Sequence, residues 1–201
     1  MSELTVSETF RMAGDWYAQA EALLDENHVV AVCGDEAMKI RFGSHVAVQA
    51  EQQKHVEVAL IFGRFVRDLE GLAYMLSRSM PMDEPIEPTI VGITGALREH
   101  LPLTRRRYVV WHDADVMAEA APDDFWRAAD ALMGVASEQE FSEEDRLVIS
   151  RAMFVGGEGL LASPAFGAWW SEGEVEPLWQ VVSGLAAPPV CAVRVEGGAG
   201  G

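Results

Sequence analysis

Between His55 and Gly157 three short apolar runs, "HVEVALIFG", "RYVVW" and "RLVISRAMFVGG", are separated by segments with helical periodicity. That alternation constrains the fold more than any other feature, because it is the pattern of a sheet covered by helices. "DLEGLAYMLSRSM" sets Leu69, Leu72, Ala73 and Leu76 on one helical face, with Asp68 placed to cap the first turn. "IVGITGALREHL" predicts a weaker helix, since Gly92 and Gly95 each cost roughly 1 kcal/mol of helix propensity against alanine. "APDDFWRAADALMGVASEQEF" opens on Pro122 and two aspartates, which suit a first turn, and carries the clearest apolar stripe: Phe125, Trp126, Ala129, Leu132, Met133 and Ala136. "RYVVW" has the β-branched and aromatic character of a buried central strand.

Outside this stretch the pattern is looser. "TVSETFRMAGDWYAQAEALLDEN" spaces Phe10, Ala13, Tyr17, Ala20 and Leu24 as an amphipathic helix, with Thr5 and Glu8 set as a capping box. "HVVAVCG", "AMKIRFGSHVAVQA" and "HVEVALIFG" then predict two or three antiparallel strands. After Gly157, short helices are expected in "SPAFGAWW" and "EPLWQVVSGL", a last strand in "VCAVRV" and a disordered "EGGAGG". The expected fold class is α/β (α+β), a small sheet covered by helices. A core over 56–160 carries an N-terminal helix and strands over 1–55, a helical extension over 161–195 and a tail over 196–201.

The 201 residues include 15 Lys and Arg against 32 Asp and Glu, a formal net charge of −17. Such a surface repels phosphate backbones and anionic lipid, so nucleic acid and membrane are not expected partners, and a basic protein is. No apolar run approaches the roughly 20 residues of a membrane span. The start "MSELTVSETF" lacks the basic and apolar parts of a secretory signal, so a cytoplasmic protein is expected. Cys33 and Cys191 are far apart, form no metal-type spacing and read as plain thiols.

"RRRYVVWHDADVM" raises the question of chemistry, because a strand delivering carboxylates to its end builds many nucleotide and metal sites. A P-loop ATPase also needs G-x-x-x-x-G-K-[ST]. The nearest glycine pieces, "VCGDEAMK" and "VGGEGLLAS", instead put carboxylates where phosphate would sit. His112, Asp113 and Asp115 have the donor types for a metal, and a small metal-dependent hydrolase is the alternative reading. In a strand, though, 113 and 115 share one face and 112 takes the other, so the two aspartates are expected to mark the following turn. His28, His45, His55 and His100 form no H-x-x-x-H unit, and no G-x-S-x-G elbow is present. No catalytic residue and no cofactor are therefore assigned.

A binding role has more support. Pro81, Pro85 and Pro88 exclude regular structure and leave an exposed acidic loop carrying Asp83, Glu84 and Glu87. Trp169 and Trp170 are adjacent between glycines, where one of the pair can anchor a partner.

Residues 56–157 resemble the barstar-like fold in element order. "VALIFG" stands for its first strand, "FVRDLEGLAYML" for the helix after it and "ITGALREHL" for the second helix. "YVVW", "DDFWRAADALMGVASE" and "RLVISRAMFVG" follow as strand, long helix and final strand. The resemblance implies an α/β sandwich. In nuclease-inhibiting members, aspartates ahead of the second helix enter a basic active site. Here that stretch reads "PTIVGITGALRE", and Glu99 alone falls near one of those acidic positions. The expected function is a non-catalytic binding module of the immunity, inhibitor or adaptor type, with Asp83, Glu84, Glu87 and Glu99 as contact charges.

Overall fold

The computed structural model describes residues 8–11, 22, 24, 29–35, 48, 52, 55–80, 82–100, 104, 106–140, 149–161 and 190–196. Its strands are β1 (Glu8–Arg11), β2 (Val29–Cys33), β3 (Glu57–Phe62), β4 (Arg106–His112), β5 (Ile149–Gly156) and β6 (Val190–Glu196). They form one sheet in the order β1-β6-β2-β5-β4-β3, and every recorded pairing is parallel. The helices are α1 (Leu69–Ser79), α2 (Ile90–Glu99), α3 (Ala114–Ala120), α4 (Pro122–Glu140) and the short α5 (Glu158–Leu161); a 3₁₀ turn spans Gly63–Phe65. The α/β class and β3, α1, α2, β4, α4 and β5 agree with the sequence expectation, whereas the 3₁₀ turn is not anticipated by it and α3 stands where only a turn at Asp113 and Asp115 is expected.

Alternating strand residues sort onto two faces. Ala31, Cys33, Ala59, Ile61, Val109, Trp111, Ala152 and Phe154 join one core with Leu72 and Leu76 of α1, Ile93 and Leu97 of α2, Met117 of α3 and Phe125 and Leu132 of α4. Trp111, Phe125 and Phe154 meet there, with ring centroids 5.4 to 6.1 Å apart, the spacing of tilted and edge-on aromatic pairs. Val30, Val32, Tyr108, Val110, Met153 and Val155 point to the other face and are buried as well. A parallel sheet covered on both faces explains why "YVVW" is continuously apolar instead of alternating. In β4, Arg107 through His112 are all buried.

The termini depart from expectation. Glu8–Arg11, placed in the predicted first helix, is a strand paired with β6. Helical periodicity there was outweighed by backbone pairing to a distant segment, which local spacing does not register. Ala22 and Leu24 are helical, as expected. Val48, inside the predicted strand "AMKIRFGSHVAVQA", is helical too. β2 and β3 are not antiparallel neighbours: β2 lies between β6 and β5, and β3 pairs with β4. Segments 1–55 and 161–201 therefore supply three strands of the same sheet as 56–160. The expected helices in "SPAFGAWW" and "EPLWQVVSGL" and the tail 197–201 lie outside the described residues.

Candidate functional site

β4 ends at His112, and the strand spacing that would align 113 with 115 stops there. Asp113 adopts φ 47°, the one positive φ at a non-glycine among the described residues, and turns the chain directly into α3. This conformation is uncommon outside glycine, although aspartate tolerates it better than most. The turn is packed from the side: a Cβ on Gly63 would stand 1.9 Å from the His112 carbonyl oxygen, so the 3₁₀ turn fits only as glycine. Arg64 Nε lies 3.6 Å from Asp113 Oδ2. Asp115, now on α3, accepts the Gly157 backbone N–H at 2.9 Å and so ties α3 to the double glycine after β5.

His112 is buried, with its ring stacked on Phe62 at a centroid distance of 6.2 Å. Among the described residues no group of three or more His, Cys, Asp or Glu side chains stands where it could hold a metal ion. Asp115 accepts a backbone N–H, as expected, but from a distant strand end and not from its own turn.

The acidic residues singled out in the sequence do converge. The loop 82–88 is free of helix and strand. Its apolar member Ile86 is buried. The Ile86 N–H donates to Ser77 Oγ at 3.0 Å, and Ser77 in turn donates to the Ala73 carbonyl at 2.8 Å. With Ile86 turned inward, Asp83, Glu84 and Glu87 stay exposed. Thr89 caps α2 by accepting the Gly92 N–H at 3.0 Å, a cap the sequence reading missed. A threonine followed three residues on by glycine offers no capping-box signal.

Loop and helix together border an open groove of about 720 Å³. Asp83, Glu84, Glu87 and Glu99 all line it, around a floor that includes Ile86, Gly92, Gly95 and Ala96, and Val91 lines it too. Val91 is 78% exposed. The two glycines have different duties: a Cβ on Gly92 would meet the Glu87 carbonyl oxygen at 2.5 Å, whereas one on Gly95 would meet nothing within 4 Å. Gly92 lets the loop lie against α2, and Gly95 leaves the groove wide.

The far end of α2 is braced. Arg107, fully buried, donates from Nη1 to the Leu97 carbonyl at 2.9 Å and from Nη2 to the His100 carbonyl. Glu57 Oε1 joins Arg107 Nε at 3.4 Å and His100 Nε2 at 2.9 Å. Burial lowers the Arg107 pKa, and the charge and hydrogen bond of Glu57 oppose that shift. His100 itself lines the groove. The sequence marked this arginine as one of three in a row, and nothing local distinguished it from its neighbours.

A groove with an apolar floor and a carboxylate rim is suited to long cationic side chains. Their methylene stems cover the floor while the charged ends reach the rim. Among the described residues no ion pair engages any of the four carboxylates. Trp169 and Trp170 lie outside the described residues.

No family model matches the chain, and no curated protein matches it in sequence. Among solved structures it is similar to the ORC2 protein of Aeropyrum pernix in its ADPNP–ADP complexes, with a TM-score of 0.56 and 13% identity. The match covers 98% of this chain and 50% of that one, so the chain spans about half the length of its structural neighbour. At that identity the likeness is one of fold. No helix among the described residues is long and apolar enough to cross a membrane.

Proposed function

We propose that the protein is a non-catalytic, cytoplasmic binding module of the inhibitor, immunity or adaptor type that receives a basic protein partner in the groove between the 82–88 loop and α2. The observation carrying this reading is that Asp83, Glu84, Glu87 and Glu99, separated by up to 16 positions, line one groove around an apolar floor. Complementary charge acts mainly on the encounter rate and on partner choice, and the apolar floor supplies contact area once the partner is seated. The barstar-like resemblance of residues 56–157 belongs to the same proposal, since acidic engagement of a basic protein is what it implies.

The nucleotides of the A. pernix complexes are not carried over. In sequence β2 is followed by Gly34, Asp35 and Glu36, without the G-x-x-x-x-G-K-[ST] loop, and acidic residues there oppose a phosphate.

Calorimetric titration with an amphipathic helical peptide of leucine and lysine tests the proposal. The wild-type protein should bind it at low salt, less tightly at physiological salt, and the variant D83K/E84K/E87K should bind it at least about tenfold more weakly. Equal affinity of the folded triple variant would remove the groove from the function.

A further inference from the structure

A second surface has the opposite character. The turn after β3 exposes Phe62, Arg64, Phe65 and Arg67, with Phe65 71% exposed and the Arg64 side chain 51% exposed. This places two aromatic rings and two guanidinium groups within six positions of a chain whose formal net charge is −17. The turn is also rigid. Gly63 is pressed against the His112 and Asp113 carbonyls, the Val66 N–H donates to the Gly63 carbonyl at 2.8 Å, and Val66 is fully buried. A preformed turn loses little freedom on docking.

We infer that this turn docks into the acidic groove of a second copy of the chain, with Phe65 on the apolar floor and Arg67 toward the rim carboxylates, Arg64 being held beside Asp113 of its own chain. The inference rests on the groove reading above and names one partner for it. Charge and polarity complement each other: cationic and aromatic on the turn, anionic and apolar in the groove. The contact cannot form within one chain. α1 separates the turn from the loop, and its 11 residues, at about 1.5 Å each, hold them roughly 16 Å apart. α1 cannot bend out of the way because Leu72, Ala73 and Leu76 are buried in the core.

Two different surfaces meeting make a heterologous contact, which propagates head to tail instead of closing as a symmetric dimer. One turn in one groove is a small interface, and the net charge of each copy opposes association, so the assembly is weak. Physiological salt, with a Debye length of about 8 Å, screens whole-chain repulsion more than the contact pairs.

Sedimentation equilibrium of the full chain from micromolar to millimolar concentration at physiological salt tests this. The wild-type mass average should rise with concentration and pass twice the monomer mass without a plateau. F65A/R67E, which keeps the groove, and E84K/E87K, which keeps the turn, should each stay monomeric. Mixed together they should form 1:1 dimers and nothing larger, because one intact turn then meets one intact groove. A wild-type protein that stays monomeric at every concentration, or a mixture that fails to dimerise, overturns the inference. If the leucine–lysine peptide still binds wild type and not E84K/E87K in that case, the groove reading stands without it.

Discussion

Gly92 lies so close beneath Glu87 that a Cβ at position 92 would stand 2.5 Å from the Glu87 carbonyl oxygen. That closeness is what sets the acidic loop against α2. Gly92→Ala should therefore displace the loop. Helix propensity alone would favour alanine by about 1 kcal/mol, but a backbone clash this short costs about 1–3 kcal/mol, so the net effect is destabilising. Gly95→Ala, with open space around it, should stabilise by up to about 1 kcal/mol. Paired urea titrations of the two variants check the opposite signs.

Removing the brace on α2 should be costly. Arg107→Met leaves Glu57 without its guanidinium and two carbonyls of the α2 end without their donor. Breaking a buried charge pair from one side typically costs about 3–5 kcal/mol. Thermal unfolding should show a large drop, and peptide binding to the groove should weaken in the folded fraction because His100 and Glu99 lose their placement. A stability change below about 1 kcal/mol would contradict the account of Arg107.

Asp115 should matter for stability through one atom. Asp115→Ala removes the acceptor of the Gly157 N–H, a charge-assisted bond of about 1.5–3 kcal/mol. Asp115→Asn keeps a carbonyl acceptor and should lose less. Equal losses in the two variants, by denaturant midpoint, would mean the bond to Gly157 contributes nothing specific.

The loop carboxylates should act on association more than on dissociation. D83K/E84K/E87K should slow binding of a basic partner by an order of magnitude or more at low salt and flatten the salt dependence of the association rate. Stopped-flow association across a salt series reads both. The loop is exposed, so the folding midpoint should move by no more than about 0.5 kcal/mol.

The part of the fold legible in the sequence was the part governed by local spacing. Asp68 caps α1 as its position indicated, accepting the Gly71 N–H at 2.9 Å. The stripe from Phe125 to Leu132 faces the core, and the prolines around Asp83 leave a loop. Glu8–Arg11 was misread because a strand's pairing partner, here Val193–Glu196, lies far away in sequence. For the same reason β2 and β3 read as members of one antiparallel group although β6 and β5 flank β2.

By itself the sequence determined the α/β class, the strands β3, β4 and β5 with the helices α1, α2 and α4 between them, the excess of acid and the acidic loop, because periodicity, turn chemistry and charge are local properties. Tertiary structure alone decided the parallel strand order, the burial of Arg107 and the placing of Glu99 on the same groove as Asp83, Glu84 and Glu87. Those depend on which distant backbones share hydrogen bonds and on how closely one glycine lets a loop approach a helix.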